Sequence, residues 1–407
     1  MKYITILVDG MADYPIDELG GRTPLEAADI PAINSLAGKG EVGMVQTVPE
    51  GMSPGSDVAN LALMGYEPEI YHTGRSPLEA ASMGVELSDT DIAFRCNLVT
   101  LEGDGPFETK TMKDHSSGEI TNGESHELIK VIDRELGGDG LRFYPGVSYR
   151  HLLVWENGPY DFDLTPPHDI LGQGIAEYVP AGPYGPFFLN LTKKSVELLE
   201  DHPVNQKRKE RGLNPANSIW IWGEGKRPQL TLFAEKYGLK GAVISAVDLI
   251  NGIGVLAGLR PIHVEGATGN IHTNFDGKAA AAIEALSGDD DYVYLHLEAP
   301  DECGHQGDLR EKIRSIELID QKIVAPIHAA LAESGEDYRM LILPDHPTPI
   351  ALRTHVGEPV PYVLFDSRTA DAGDDRAKDQ QFTEVSGRST GKFFSTGPDL
   401  IRYYLAS

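Results

Sequence analysis

Cysteine is nearly missing: the 407 residues hold only Cys96 and Cys303, far apart and outside any CxxC spacing. Neither a disulfide framework nor a thiolate zinc site is indicated, and the cytosol is the compartment that fits. Long apolar runs are missing too. The run from Tyr3 to Val8 in the opening MKYITILVDG is too short for a signal h-region, and no later run reaches membrane length. The expectation is a soluble, unexported chain. Positive charge is scarce, with 35 Lys plus Arg against 62 Asp plus Glu and a formal charge of −27. A field of that sign repels nucleic acid and anionic membrane surfaces, so neither is an expected partner. An anionic substrate would need its attraction supplied locally, by clustered Arg and Lys or by bound cations.

What is present is a rhythm. Tyr3 to Val8 is rich in β-branched residues and ends in Asp9-Gly10, which reads as a buried central strand delivering a carboxylate at its C-terminal edge. Gly241 to Ile244, Tyr292 to Leu297 and Arg339 to Leu343 repeat the pattern, the last two running into Asp301 and into Asp345-His346. Helix-like stretches lie between them, at Gly277 to Leu286 and Leu309 to Glu333. Strand, acid, helix, strand, acid predicts an α/β fold with a doubly wound, mostly parallel sheet and its chemistry at one sheet edge.

The middle reads differently. Alternating stretches such as FRCNLVTLE and YRHLLVW stand among loops and proline clusters, TPPHD and VPAGPYGP. This predicts a smaller α+β domain spanning 91–214, inserted into a discontinuous catalytic domain of 1–90 and 215–407.

Acids and histidines gather at the strand ends. In EAPDECGHQGD, Asp301 and His305 are four apart, a spacing that brings a carboxylate and an imidazole to one side of a helical turn. Asp345 and His346 are adjacent and can meet one ion only if the chain turns there, which Pro344 and Pro347 make plausible. With Asp9 and His355, the strand ends supply three Asp and three His, a set that suits two divalent ions better than one. His296, inside a strand, reads instead as a satisfied core histidine, and Cys303 as a small buried side chain. In EGMSPGSDVANLALMGYEP, Ser56 follows Pro54-Gly55 and precedes a helix. A helix N-terminus favours an alkoxide and an arriving phosphate, but the stretch alone reads more readily as an ordinary cap.

Six motifs then converge: VDGMAD, GSDVANLALMGY, GATGN at Gly266 to Asn270, APDECGHQGD, PDH at Pro344 to His346, and THVGEPVPYVLF at Thr354 to Phe365. Together they resemble the archaeal-type, cofactor-independent phosphoglycerate mutases of the alkaline phosphatase superfamily, over essentially the full chain. The resemblance implies the alkaline-phosphatase-like fold, a glycolytic and gluconeogenic interconversion of 2-phosphoglycerate and 3-phosphoglycerate, and Ser56 as a transiently phosphorylated nucleophile. It implies that Asp9, Ser56, Asp345 and His346 hold one metal and Asp301, His305 and His355 the other. Mn²⁺ or Zn²⁺ suits such sites, Mg²⁺ the His-rich one less readily, and no organic cofactor is implied. The partner is then a small phosphorylated metabolite, and the inserted domain a lid against water. No sequence feature marks an oligomeric interface.

The chain departs from that family where the substrate is gripped. An arginine-rich segment like DRRAGR is replaced by Lys113 to Ile120, with His115, Ser116 and Glu119 in place of the arginines. A lysine is replaced within Leu249 to Gly252. Arg75, Lys113, Arg150, His151 and Lys226 remain as candidate substrate contacts. The departures resemble a bacterial branch of the family proposed to be homoserine kinases of threonine biosynthesis, although no GxxxxGK[ST] loop is present. A phosphatase or phosphodiesterase on the same metal core is the other alternative.

Overall fold

The computed structural model describes residues 1–370 and 380–406. The chain divides into two compact units, Met1–His72 with Gln229–Ser407, and Thr73–Pro228. In chain order the strands are β1 Lys2–Val8, β2 Glu41–Val45, β3 Ile92–Glu102, β4 Thr111–Asp114, β5 Leu141–Tyr144, β6 Arg150–Trp155 and β7 Ser218–Lys226. They continue as β8 Gly241–Ile244, β9 Arg260–Pro261, β10 Tyr292–Leu297, β11 Tyr338–Leu343, β12 Val360–Asp366 and β13 Phe393–Phe394.

The first unit is built on an eight-stranded sheet in the order β13-β2-β12-β11-β1-β10-β8-β9. The central run β11, β1, β10, β8 and β9 is parallel, and β12 is antiparallel to both of its neighbours. The expected doubly wound, mostly parallel sheet is therefore present, and all four strands read from the sequence lie in it. Almost every residue of β1 and β10 is buried, which explains continuous apolar runs where a half-solvated strand would alternate. One face sends Ile4, Ile6, Val8, Val293, Leu295, Leu297, Met340 and Ile342 into the main core, each fully buried aliphatic contributing about 1.5–3 kcal/mol.

The stretch from Leu309 to Glu333 is not one uninterrupted helix. It runs as helix over Leu309–Ile319, widens to a π turn at Asp320–Val324, and resumes at Ala325–Ser334. Pro326 lacks an N–H and its ring crowds the carbonyl four residues back, a conflict that the wider turn absorbs. The turn has its own use: the Asp320 carboxylate accepts from the N–H groups of Ile33 at 2.7 Å and Ala32 at 3.2 Å, at the start of helix Pro31–Lys39.

Helix Leu309–Ile319 also carries a buried cation. Lys312 Nζ donates to Asp13 Oδ2 at 2.7 Å and to the Thr348 carbonyl at 2.8 Å, with side-chain exposures of 0% for Lys312 and 1% for Asp13. Lys312→Met would strand the Asp13 carboxylate in the core and is expected to cost about 3–5 kcal/mol. The urea midpoint should fall with the slope unchanged, and a loss below ~1 kcal/mol would mean that the pair is not held as ions.

In the second unit β3 pairs antiparallel with β4, β6 and β7, and β6 with β5. One face of this sheet packs Phe94, Cys96 and Leu98 with Ile129 and Phe188, from helices Asn122–Leu136 and Gly185–Leu199. Helix Ser76–Ser82 and strand β7 belong to this unit.

Candidate active site

The site lies where β1, β10 and β11 end. Asp9 follows β1, and Gly10 turns the chain with φ +62°. A Cβ there would come within 2.6 Å of Asp301 Cα and 2.7 Å of Thr348 Oγ1, so only glycine lets the two strand ends approach so closely. Beyond β10, helix Ala299–Gln306 presents Asp301 and His305 one turn apart, with Nε2 of His305 3.2 Å from Asp301 Oδ2. Beyond β11 the chain bends at Asp345 and His346. The bend is held by Asp345 Oδ1, which accepts from the N–H groups of His346 at 2.9 Å and Gly10 at 3.3 Å.

The side chains read from the sequence come together. His346 Nε2 is 3.4 Å from Asp345 Oδ2, 3.7 Å from Asp9 Oδ1 and 3.2 Å from the Ser56 hydroxyl. His355 Nε2 lies 3.3 Å from Asp301 Oδ1 and 2.8 Å from His305 Nε2. Two groups of donor atoms are compact enough to share an ion, Asp9 with Asp345 and His346, and Asp301 with His346 and His355. His346 thus stands between the groups, its ring stacked on His355 at 3.9 Å. Cys303 is buried and belongs to neither group.

These donors fit divalent cations on two grounds. Asp9 Oδ1 is a buried carboxylate oxygen with no hydrogen-bond partner among the described residues, a costly arrangement unless a cation is due there. His305 Nδ1 lies 3.1 Å from the Arg353 carbonyl, an acceptor that places the proton on that nitrogen and leaves Nε2 as a lone-pair donor. The electrostatics agree. Burial, followed by the Asp345 and Asp301 carboxylates, pushes the Asp9 carboxyl far above its usual range. Burial opposes ionisation of Asp301 as well, yet hydrogen bonds from His305 and His355 hold its carboxyl well below that range. The same contact raises His305 to about 9, so without a cation Nε2 carries a proton shared with Asp301, and a bound ion would take that proton's place.

Ser56 is the first residue of helix Ser56–Leu63, with Gly55 as the cap and no side-chain capping hydrogen bond. Its hydroxyl therefore turns toward His346, which removes the reading of Ser56 as an ordinary cap. Asn60, one turn on, donates to the Ser56 carbonyl at 2.9 Å and to Asp345 Oδ2 at 3.0 Å, locking the helix to the bend after β11.

Several residues near the site escaped the sequence reading. His296 is fully buried, as a core histidine would be, but its Nε2 is 3.1 Å from Asp9 Oδ2, and burial pushes the ring down to about 3, so it stays neutral. Thr348 Oγ1 donates to Asp301 Oδ1. Lys278, whose amine burial pushes down to about 8, donates to the His296 carbonyl at 3.2 Å. Within Leu249 to Gly252, Asn251 donates to the Ser245 carbonyl at 3.1 Å. The alternation Tyr-x-Tyr-x-His in β10 was the available signal, because it puts Tyr294 and His296 on one face.

The candidate substrate contacts are all in the second unit. Arg75 is exposed at the start of helix Ser76–Ser82. Lys113 pairs with Glu102 at 2.7 Å, Arg150 lies 5.5 Å from the Tyr149 ring, and Lys226 lies 5.2 Å from the Tyr160 ring. His151 is 2% exposed on the core face opposite Cys96, and its Nδ1 accepts the Gly146 N–H at 3.0 Å. The segment after Lys113 is shaped by Asp114, which accepts from the N–H groups of Ser116 and Gly118, while Arg208 holds the Ser117 carbonyl. A cluster not foreseen gathers beside it. Arg95 lies over the Trp222 ring, Trp222 donates to Asn97 at 3.0 Å, and His168 packs on Trp222 and His115.

Residues 37–205 match the family described as 2,3-bisphosphoglycerate-independent phosphoglycerate mutase. The chain is 52% identical over its whole length, and that of its relative, to a Geobacter sulfurreducens protein named as a probable mutase of this kind. It is 51% identical to the Methanosarcina barkeri 2,3-bisphosphoglycerate-independent phosphoglycerate mutase, over 94% of each chain. The solved cofactor-independent phosphoglycerate mutase of Thermoplasma acidophilum superposes over 100% of both chains, at 26% identity and a TM-score of 0.67.

Proposed function

Because this chain belongs to the 2,3-bisphosphoglycerate-independent phosphoglycerate mutase family and is an isomerase of that kind, we propose that it interconverts 2-phosphoglycerate and 3-phosphoglycerate by carrying the phosphoryl group on Ser56 beside two divalent metal ions. The observation that carries the reading is the Ser56 hydroxyl, which caps nothing and faces His346 within the Asp9–Asp345–His346 group. Asp9, Ser56, Asp345 and His346 would hold one ion, and Asp301, His305 and His355 the other. Bound ions of this class activate a hydroxyl nucleophile and neutralise phosphoryl oxygens, which supplies locally the positive charge that a chain of net −27 lacks.

The chain's own residues do the rest. The N-terminus of helix Ser56–Leu63 favours negative charge on Ser56 Oγ. Asn60 keeps the Ser56 backbone and the Asp345 carboxylate in register through both half-reactions. In the first half, an Oγ–P bond forms as the phosphate ester to glycerate breaks, and the serine proton leaves with the glycerate hydroxyl. In the second half, the other glycerate hydroxyl attacks phosphorus, Oγ departs and the serine is reprotonated. The phosphate stays with the same glycerate, so the metabolite is isomerised and not hydrolysed. The reading places the enzyme in the cytosol, and no helix among the described residues is long and apolar enough to cross a membrane.

A coupled assay with 3-phosphoglycerate and Mn²⁺ tests this, with formation of 2-phosphoglycerate as the expected result. One observation favours a second reading, phosphoryl transfer to a hydroxylated amino acid. The segment Lys113 to Ile120 carries no arginine for a carboxylate fork and presents His115 and Glu119 instead. Turnover of homoserine with ATP, in protein inert toward 3-phosphoglycerate, would replace the first reading with the second. Free phosphate released in step with substrate loss would replace both with hydrolysis.

A further inference from the structure

Every residue of strand β10 is buried, yet alternate residues on one face carry a phenol or an imidazole. Val293, Leu295 and Leu297 point into the apolar core, while Tyr292, Tyr294 and His296 point the other way, all six at 0% or 1% exposure. A hydroxyl or ring nitrogen at that depth is costly unless it is bonded. Tyr294 and His296 spend their hydrogen bonds on groups that touch the metal-ligand set.

Each bond has a direction. The Tyr294 hydroxyl donates to Asn60 Oδ1 at 2.6 Å. With its oxygen so occupied, the Asn60 amide must aim Nδ2 at the Ser56 carbonyl and at Asp345 Oδ2. With Asp9 as the carboxylate that a bound cation requires, its Oδ2 only accepts, and His296 Nε2 bears the proton shared with it at 3.1 Å. Nδ1 then accepts from Ser245 Oγ at 3.2 Å, and that hydroxyl is oriented in turn by the Val247 N–H at 2.9 Å. The backbone end of His296 is held by Lys278 Nζ. The result is that Asp9 has one oxygen committed and the other, Oδ1, free and facing His346. Asp345 is likewise fixed through Asn60.

We propose that Tyr294 and His296 are the positioning residues of one metal subsite: from alternate positions on β10 they orient the Asp345 and Asp9 carboxylates and so set that subsite's affinity for a divalent cation. The other subsite has further supports, the Arg353 carbonyl on His305 and the Thr348 hydroxyl on Asp301, which also lies 3.3 Å from Nδ1 of the shared His346. The inference rests on the metal-dependent reading above, and extends it from the ligands to what aims them. Loss of partners that orient ligands typically costs 10- to 100-fold in metal affinity.

The test is calorimetric titration of the metal-free full chain with Mn²⁺, alongside its urea unfolding. The wild-type chain is expected to take up two ions. In His296→Phe and in Tyr294→Phe one binding step should weaken about 10- to 100-fold and the other stay unchanged. His296→Gln, which keeps an N–H donor, should recover most of the lost affinity. Two wild-type steps that persist unaltered in both variants would overturn the positioning role and leave the metal reading standing. Equal weakening of both steps, in proportion to lost metal-free stability, would also overturn it, reducing the two residues to core packing. A wild-type chain that takes up no Mn²⁺ would overturn the metal reading and this inference together.

Discussion

Ser56→Ala is expected to lower turnover of 3-phosphoglycerate by about 10⁴- to 10⁶-fold, the scale seen when a covalent nucleophile is removed. The local geometry offers no replacement. The neighbouring Asp57 carboxylate is already paired with His72 at 2.7 Å, and His346 Nε2 stands among carboxylates as a candidate ligand. The loss should be confined to chemistry, because the Ser56 hydroxyl caps no helix and supports no backbone group. In the metal-free protein its removal should change stability by less than about 0.5 kcal/mol, within the range of substitutions away from special features. The coupled assay and a urea midpoint on the same preparation check both halves. Residual activity above about a hundredth of the wild-type rate would sink the phosphoserine route, since only background catalysis should survive loss of the nucleophile.

Metal removal is the second large effect. Three buried carboxylates, Asp9, Asp301 and Asp345, converge with no lysine or arginine among the described residues paired to them. Protein dialysed against a chelator should lose turnover to background and regain it with Mn²⁺ or Zn²⁺, and less fully with Mg²⁺. It should also melt earlier. An ion held at a thousand times its dissociation constant adds about 4 kcal/mol to the native state, or on the order of 10 °C in Tm for a unit of this size. Full activity in protein shown by elemental analysis to be metal-free would remove the binuclear centre from the mechanism.

Much of this site was legible because a buried parallel strand has an unusual signature. Asp9, Asp301, Asp345 and His346 each follow a largely apolar strand, and the fold places strand ends at one edge. The i,i+4 spacing of Asp301 and His305 fixed their relation as soon as the helix was assumed. His296 is the satisfied core histidine it was read as, but its tie to Asp9 was hidden for a reason of the same kind. In a strand buried on both faces, periodicity shows which residues share a face but not what that face meets, and Asp9 is supplied by a strand that begins the chain. Asn60 was invisible for another reason: an asparagine inside an apolar helix looks like a packing defect until Tyr294, far away in sequence, gives its carbonyl oxygen a donor. The π turn at Asp320–Val324 was signalled by Pro326, which the helical periodicity of its surroundings outweighed.

The position of β1 has a consequence for how the chain is made. It leaves the ribosome before both of the strands it lies between, β10 and β11. Both neighbours are encoded near the other end, β10 starting at Tyr292. At about 5–20 residues per second the wait is on the order of 15–60 s. Thr73–Pro228, continuous in sequence and with its own core, is complete long before then. Asp9 therefore waits as a solvated carboxylate until β10 and β11 follow it, and only then meets Asp345 and His346.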